Sequence, residues 1–202
     1  KKKKVKVVIP MRKGHLERRA RVYLPLVEKY AARFDMPIPL LLAVMKAESA
    51  FNPNARSSVA FGLMQLVPTS GAKEAHEVVY GYASVVPGSY LLDPETNVML
   101  GTAYLHRLKT RYFAAVGNME KIHYLIISAY NTGPGNVAKA FVRSGRSRGR
   151  LKRALPAMRK LSPAELYSTL VYNLPYEETR HYLPKVVKYL KKYAVKMGTS
   201  IH

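Results

Sequence analysis

There is no cysteine and no tryptophan among the 202 residues. The first absence excludes disulfides and thiolate metal sites, although a chain of this length and apolar content can bury a core without either. Acids are scarce as well: 12 Asp and Glu stand against 34 Lys and Arg, and Asp35 and Asp93 are the only aspartates. Chemistry that needs clustered carboxylates has few candidates. The six histidines show no pair at ligand spacing, so no metal and no cofactor is expected, and each histidine is expected at the surface. No apolar run reaches the roughly 18 residues of a membrane span, and the opening segment, interrupted by Lys6, is too short for a signal-peptide core. A serine nucleophile has no G-x-S-x-G elbow to sit in. The formal charge of +22 points to a polyanionic partner or surface, yet none of the sequence patterns of nucleic-acid modules is present. A solvated basic surface drawn to an acidic envelope is the expected reading, with no specific nucleic-acid partner.

What is present is organised around residues 40–65. Leu41, Val44 and Met45 fall seven, four and three residues before Glu48, so the carboxylate continues a stripe that is otherwise apolar. Burial of that kind raises a carboxyl pKa toward neutrality, which suits a group that donates a proton and later takes one back. A glutamate at a helix end can also turn into water or pair with an arginine. Against that, Asn52-Pro53 is expected to stop the helix soon after the acid, and Ser57, Ser58, Gly62 and Gln65 supply polar groups and close backbone approach within one short loop.

The rest of the chain reads as helices. Residues 1–12 form a short basic strand with no partner in sight, read as the stub of a preceding domain, and residues 13–202 are the body of the fold. His15–Phe34 is an amphipathic helix with Val22, Tyr23, Leu26, Val27 and Tyr30 facing inward and Pro25 at a kink. Pro37 and Pro39 pre-set the start of the next helix, Pro68-Thr69 opens another, and Asp93-Pro94 caps a fourth whose Val98, Tyr104, Leu105 and Leu108 point inward while Gly101 allows close packing. A helix over residues 122–129 breaks at Tyr130-Asn131-Thr132-Gly133-Pro134-Gly135, which leaves Tyr130 and Asn131 at the rim of the core. Residues 143–160, basic and without an acid, read as a mobile surface loop. Ser162 to Glu165 is a capping box, and the last helix, residues 176–197, turns Tyr182, Val186, Tyr189, Leu190 and Tyr193 inward.

Four segments in this order carry a resemblance: Glu48-Ser49-Ala50-Phe51-Asn52-Pro53, Ala60-Phe61-Gly62-Leu63-Met64-Gln65, Ala129-Tyr130-Asn131-Thr132-Gly133, and Glu178-Thr179-Arg180-His181-Tyr182. They resemble the successive motifs of the soluble-type lytic murein transglycosylases, and the stub together with residues 93–105 is most similar to a membrane-bound branch of that family, the C-type enzymes. The resemblance implies a mainly α, lysozyme-like fold of the goose type. It also implies peptidoglycan glycan strands as substrate, cut between N-acetylmuramic acid and N-acetylglucosamine without water to leave 1,6-anhydro ends. Glu48 matches the single catalytic acid; Ser57, Gln65, Tyr130 and Asn131 match substrate-binding positions, and Tyr182 the tyrosine that orients the acid. A periplasmic, outer-membrane-associated place follows from the same likeness, with a preceding domain and a lipid anchor in the longer protein. Many relatives carry a glutamate ten residues before the last tyrosine, where this chain has Tyr172. Three other readings stay open: a goose-type lysozyme that hydrolyses to reducing ends, a non-catalytic cationic wall-binding module, and nucleic-acid binding through residues 143–160.

Overall fold

The computed structural model describes residues 15–142 and 149–199. The strand expected over residues 1–12 lies outside the described residues, as does the 143–148 part of the basic run. Among the described residues nine α-helices carry the fold, and strand-type pairing is limited to isolated bridges from Phe61 to Arg56 and to Leu66. The mainly helical class is as expected. No described helix is long and apolar enough to cross a membrane.

The fold is built around α2 (Ile38–Ser49). Pro37 precedes it in extended conformation, and Leu40 through Met45 are buried on every side rather than along one stripe. A helix that is apolar all round belongs at the centre of a core, and α2 is covered by α1 (His15–Phe34) and α9 (Glu177–Met197). Each fully buried leucine of α2 contributes on the order of 2 kcal/mol. Along α1, Val27, Tyr30, Ala31 and Phe34 sink into this core and the helix runs through Pro25, whereas Val22, expected inside, is 69% exposed. Positions 22 and 27 lie about 140° apart around a helix, so both cannot face one stripe.

A second layer pairs α3 (Gly71–Tyr80) with α4 (Pro94–Arg107). The third helix starts later than Pro68 because Val67 first closes a turn, its carbonyl accepting from the Ser70 and Ala72 amides at 3.2 and 3.1 Å. α4 opens as its sequence demands: Pro94 occupies the first turn and the Asp93 carboxylate accepts from the Thr96 amide at 2.8 Å. It ends in a π-helical turn over Leu108–Tyr112. α5 (Met119–Thr132) runs three residues past the expected end, so Tyr130 and Asn131 occupy its last turn, and Gly133 (φ +83) hands over to α6 (Pro134–Lys139).

The expected loop over residues 143–160 is corrected in its second half. Arg150–Lys160 is a helix, α7, because Leu151, Ala154, Leu155 and Met158 recur at helical spacing and Ala154 and Met158 are fully buried. Its end is held by a buried cation. Lys121 on α5 donates from Nζ to the carbonyls of Met158, Arg159 and Leu161 at 3.2, 2.8 and 2.9 Å, meeting the unpaired end of the helix with positive charge. α8 (Pro163–Asn173) begins in a complete capping box formed by Ser162 and Glu165. The histidines also depart from expectation, since His76 and His123 are buried; the His76 ring packs between Tyr80 and Tyr82, with centroids 4.5 and 4.8 Å away.

Candidate active site

Glu48 stands in the last turn of α2, where the central helix emerges from the core. The helix stops one residue later, earlier than Asn52-Pro53 requires, because Ala50 and Phe51 both adopt left-handed backbone with φ of 51° and 61°. That conformation costs a residue with a side chain roughly 1–2 kcal/mol. Phe51 is 1% exposed, and burying a phenylalanine returns roughly 2–3 kcal/mol, which offsets most of the backbone cost of the two residues. Core packing thus ends the helix directly behind the acid. Ser49 secures the exit: its hydroxyl donates to the Leu63 carbonyl at 2.7 Å and accepts from the Asn52 amide at 3.2 Å.

The loop that follows is pinned from α4 by a residue in the first turn of that helix. Asn97 is fully buried; its Oδ1 accepts from the Met64 amide at 2.8 Å, and its Nδ2 donates to the carbonyls of Phe61 and Leu91 at 2.8 and 2.7 Å. The loop approaches so closely that a Cβ on Gly62 (φ +78) would lie 2.3 Å from Asn97 Nδ2, and one on Gly101 would lie 2.3 Å from Met64 Sδ. Gln65, itself left-handed at φ +48, folds its Nε2 back onto the carbonyls of Ala55 and Gly62 at 3.0 and 2.9 Å.

Electrostatics set the state of the acid. Glu48 is half-buried, and its carboxyl is pushed from an ordinary 4.5 up to about 7, chiefly by desolvation. A hydrogen bond from the Tyr182 hydroxyl at 2.6 Å and the positive charge of Lys185 act in the opposite direction, while the negative Glu178 adds a smaller upward push. Burial outweighs the tyrosine and the lysine together. Lys185 is itself tethered, donating to the Ala47 carbonyl at 2.9 Å near the end of α2. Beside the acid, Tyr130 donates to the Met64 carbonyl at 2.8 Å, and burial together with the Glu48 charge holds its phenol well above the usual tyrosine range.

Next to this group lies an open hollow of about 250 Å³, walled by Gln65, Tyr104, Tyr130, Asn131 and the Gly133-Pro134 turn, with the start of α3 opposite. Glu48 is not in its wall, but Tyr130 is, and Tyr130 feels the Glu48 charge. A proton donor near neutrality, two phenols near it and a recess lined in part by polar groups form a place suited to acid-base work on a hydroxylated substrate.

The family model of the transglycosylase SLT domain matches residues 25–152. The chain belongs to that family. Among curated proteins it is similar to the membrane-bound lytic murein transglycosylases C of Pectobacterium atrosepticum, at 41% identity, and Yersinia pestis, at 38%, in each case over 93% of this chain and 51% of the relative. The chain therefore spans about half the length of the curated relatives it matches. Among solved structures it resembles the 70 kDa soluble lytic transglycosylase of Escherichia coli, with 30% identity and a TM-score of 0.65 over 92% of this chain and 26% of that one. It also resembles an inactive glutamate-to-glutamine mutant of the Pseudomonas aeruginosa lytic transglycosylase, with 26% identity and a TM-score of 0.64 over 88% of this chain and 25% of that one.

Within this SLT domain the six residues singled out from sequence are not equally placed. Glu48 and Tyr182 are in direct contact, and Tyr130, Asn131 and Gln65 line the adjoining hollow. Asn131 also ties α5 to α9, accepting from the Thr179 hydroxyl at 2.7 Å and donating toward Glu178 at 3.4 Å. Ser57 is exposed, and its hydroxyl accepts from the Ala60 and Val59 amides at 2.9 and 3.3 Å, closing its own turn. Ser49, Asn97 and Glu178 shape the site and were not singled out as site residues. For Asn97 the signal was a polar residue amid the inward positions of α4; its partners lie too far away in sequence to be read from it.

Proposed function

We propose that this SLT domain cleaves the β-1,4 bond between N-acetylmuramic acid and N-acetylglucosamine in peptidoglycan without water, using Glu48 alone as acid and base. The observation that carries the reading is a single desolvated carboxyl, pushed up to about 7 and oriented by a 2.6 Å bond from Tyr182. Protonated near neutral pH, Glu48 gives its proton to the glycosidic oxygen as the bond to C1 breaks. The resulting carboxylate then takes the proton of the muramyl C6 hydroxyl as that oxygen attacks C1. One C–O bond is lost, one is formed, and a proton passes from O6 to the leaving oxygen through one residue. The substrate's own N-acetyl group stabilises the positive centre between the two steps, as in substrate-assisted glycosidases, so a second protein carboxylate is unnecessary.

Tyr182 holds the carboxyl in place and stabilises its charged form. Gln65, Tyr130 and Asn131 offer hydrogen-bonding groups along the recess, and Ser57 shapes the loop beside it. The family membership, the relatives named lytic murein transglycosylase and the inactive glutamate-to-glutamine mutant of the Pseudomonas relative all support this reading. The relatives' description as membrane-bound supports a periplasmic site of action near the outer membrane, with an anchor supplied by a longer protein. Purified sacculi digested with this protein are expected to yield muropeptides with 1,6-anhydro ends, lighter by one water than reducing ends in a mass spectrum. Reducing ends alone would overturn the proposal in favour of hydrolysis.

A further inference from the structure

A second hollow, of about 410 Å³, lies at the far end of α6. Lys139, Arg150 and Arg180 line it together with Tyr172 and Asn173, and among the described residues no acidic side chain lines it. Elsewhere four of the acids pair with cations: Glu95 with Lys29, Asp35 with Lys109, and Glu74 and Glu77 with Arg107. Here three cations come together from three helices. Arg180 is held in place by donating one Nη1 hydrogen bond to the Leu174 carbonyl at 2.6 Å, and a guanidinium has further N–H groups for a bidentate acceptor. Tyr172 is 79% exposed and presents an apolar face beside the charges.

The position of this hollow matters as much as its charge. α6 begins at Pro134, in the wall of the recess beside Glu48, and ends at Lys139, in the wall of the basic hollow. At 1.5 Å of rise per residue the two walls are about 8 Å apart along that helix. An extended peptide covers about 3.4 Å per residue, so two or three residues bridge the distance.

We propose that the basic hollow is a carboxylate-binding subsite for the stem peptide carried by the muramyl residue bound in the recess, a proposal that rests on the peptidoglycan reading above. The lactyl-linked peptide would leave the recess past Pro134, follow α6, and place an acidic side chain or terminal carboxylate among Lys139, Arg150 and Arg180, with aliphatic parts against Tyr172. Contact is required, because free charges farther apart than about 8–10 Å are screened at physiological salt.

The test uses soluble glycan strands in three forms: with intact peptides, with peptide carboxylates amidated, and with peptides removed. The unmodified protein is expected to show a kcat/KM about tenfold higher on intact than on amidated peptides, the size of a charge-assisted hydrogen bond. Lys139→Glu and, independently, Tyr172→Glu should reduce that preference toward unity while leaving the rate on peptide-free strands unchanged, and Lys139→Arg should retain it. Equal rates of the unmodified protein on intact and amidated strands, or an equal loss by both Glu variants on all three substrates, would overturn the subsite. Failure of the unmodified protein to release anhydro products from any form would instead overturn the proposed activity.

Discussion

The loop between α2 and α3 and the helix α9 form two sides of the same site by opposite means. The loop holds its shape with left-handed backbone at Ala50, Phe51, Gly62 and Gln65 and with side chains of Ser49, Gln65 and Asn97 bonded to its carbonyls and amides. α9 delivers Tyr182 by regular geometry alone, on the same buried stripe as Val186, Leu190 and Tyr193. Helical packing brings the tyrosine to the acid across the core; the strained loop determines what surrounds the acid. The loop should therefore be sensitive to loss of single polar groups and α9 to loss of apolar volume, and substitutions can separate the two.

The largest effect is expected at the acid. Glu48→Gln should lower turnover on sacculi by about 10³-fold with substrate retention intact, read by sedimentation of protein with insoluble wall. The same change should alter stability with a definite sign. Because the folded pKa of Glu48, about 7, lies above its ordinary 4.5, the folded state binds more protons between these values, and stability falls as pH rises across that window. Glu48→Gln should therefore be more stable than the unmodified protein above about pH 7, by up to roughly 3 kcal/mol, with the advantage gone below about pH 4.5, as measured by urea unfolding. Next in size, Asn97→Ala leaves the Met64 amide and the Leu91 carbonyl without their partner and should cost about 3 kcal/mol, visible as a lower thermal midpoint. If that variant melted normally while retaining activity, the loop would not depend on its polar pins. Tyr182→Phe keeps the packing of α9 but removes the bond that favours the charged acid. Its activity should fall about tenfold, the worth of one hydrogen bond to a charged group, and the alkaline limb of its pH–rate profile should move to higher pH. The smallest effect should come from far outside the site: Ser162→Ala, at the start of α8, should cost about 1 kcal/mol of stability and leave kcat/KM unchanged.

What could be read in advance follows the same division. Local rules sufficed where one helix end or one stripe decides the outcome, as in the Asp93 cap, the Ser162 box, the apolar approach to Glu48 and the inward tyrosine stripe of α9. They failed where distant residues decide. The end of α2 depends on burial of Phe51, α7 on two apolar positions inside a basic run and on Lys121 reaching across from α5, and the loop on Asn97 more than thirty residues away. The proximity of Glu178 to the acid belongs to the same class, since it arises only when α9 packs on α2. The six marked positions therefore included the acid, its tyrosine and the loop's own Ser57 and Gln65, but not Ser49 and Asn97, which also keep the loop in shape.

The close fit between Gly62 and Asn97 has a consequence for the lineage and for anyone redesigning it. There is no space at 62 for even a methyl group: an added carbon would lie 2.3 Å from both Asn97 Nδ2 and the backbone carbonyl of Leu91, so shortening 97 does not make room for it, and shortening 97 strands the loop's amide. Position 62 should stay glycine whatever stands at 97, and a designed variant that alters the groove should leave both in place.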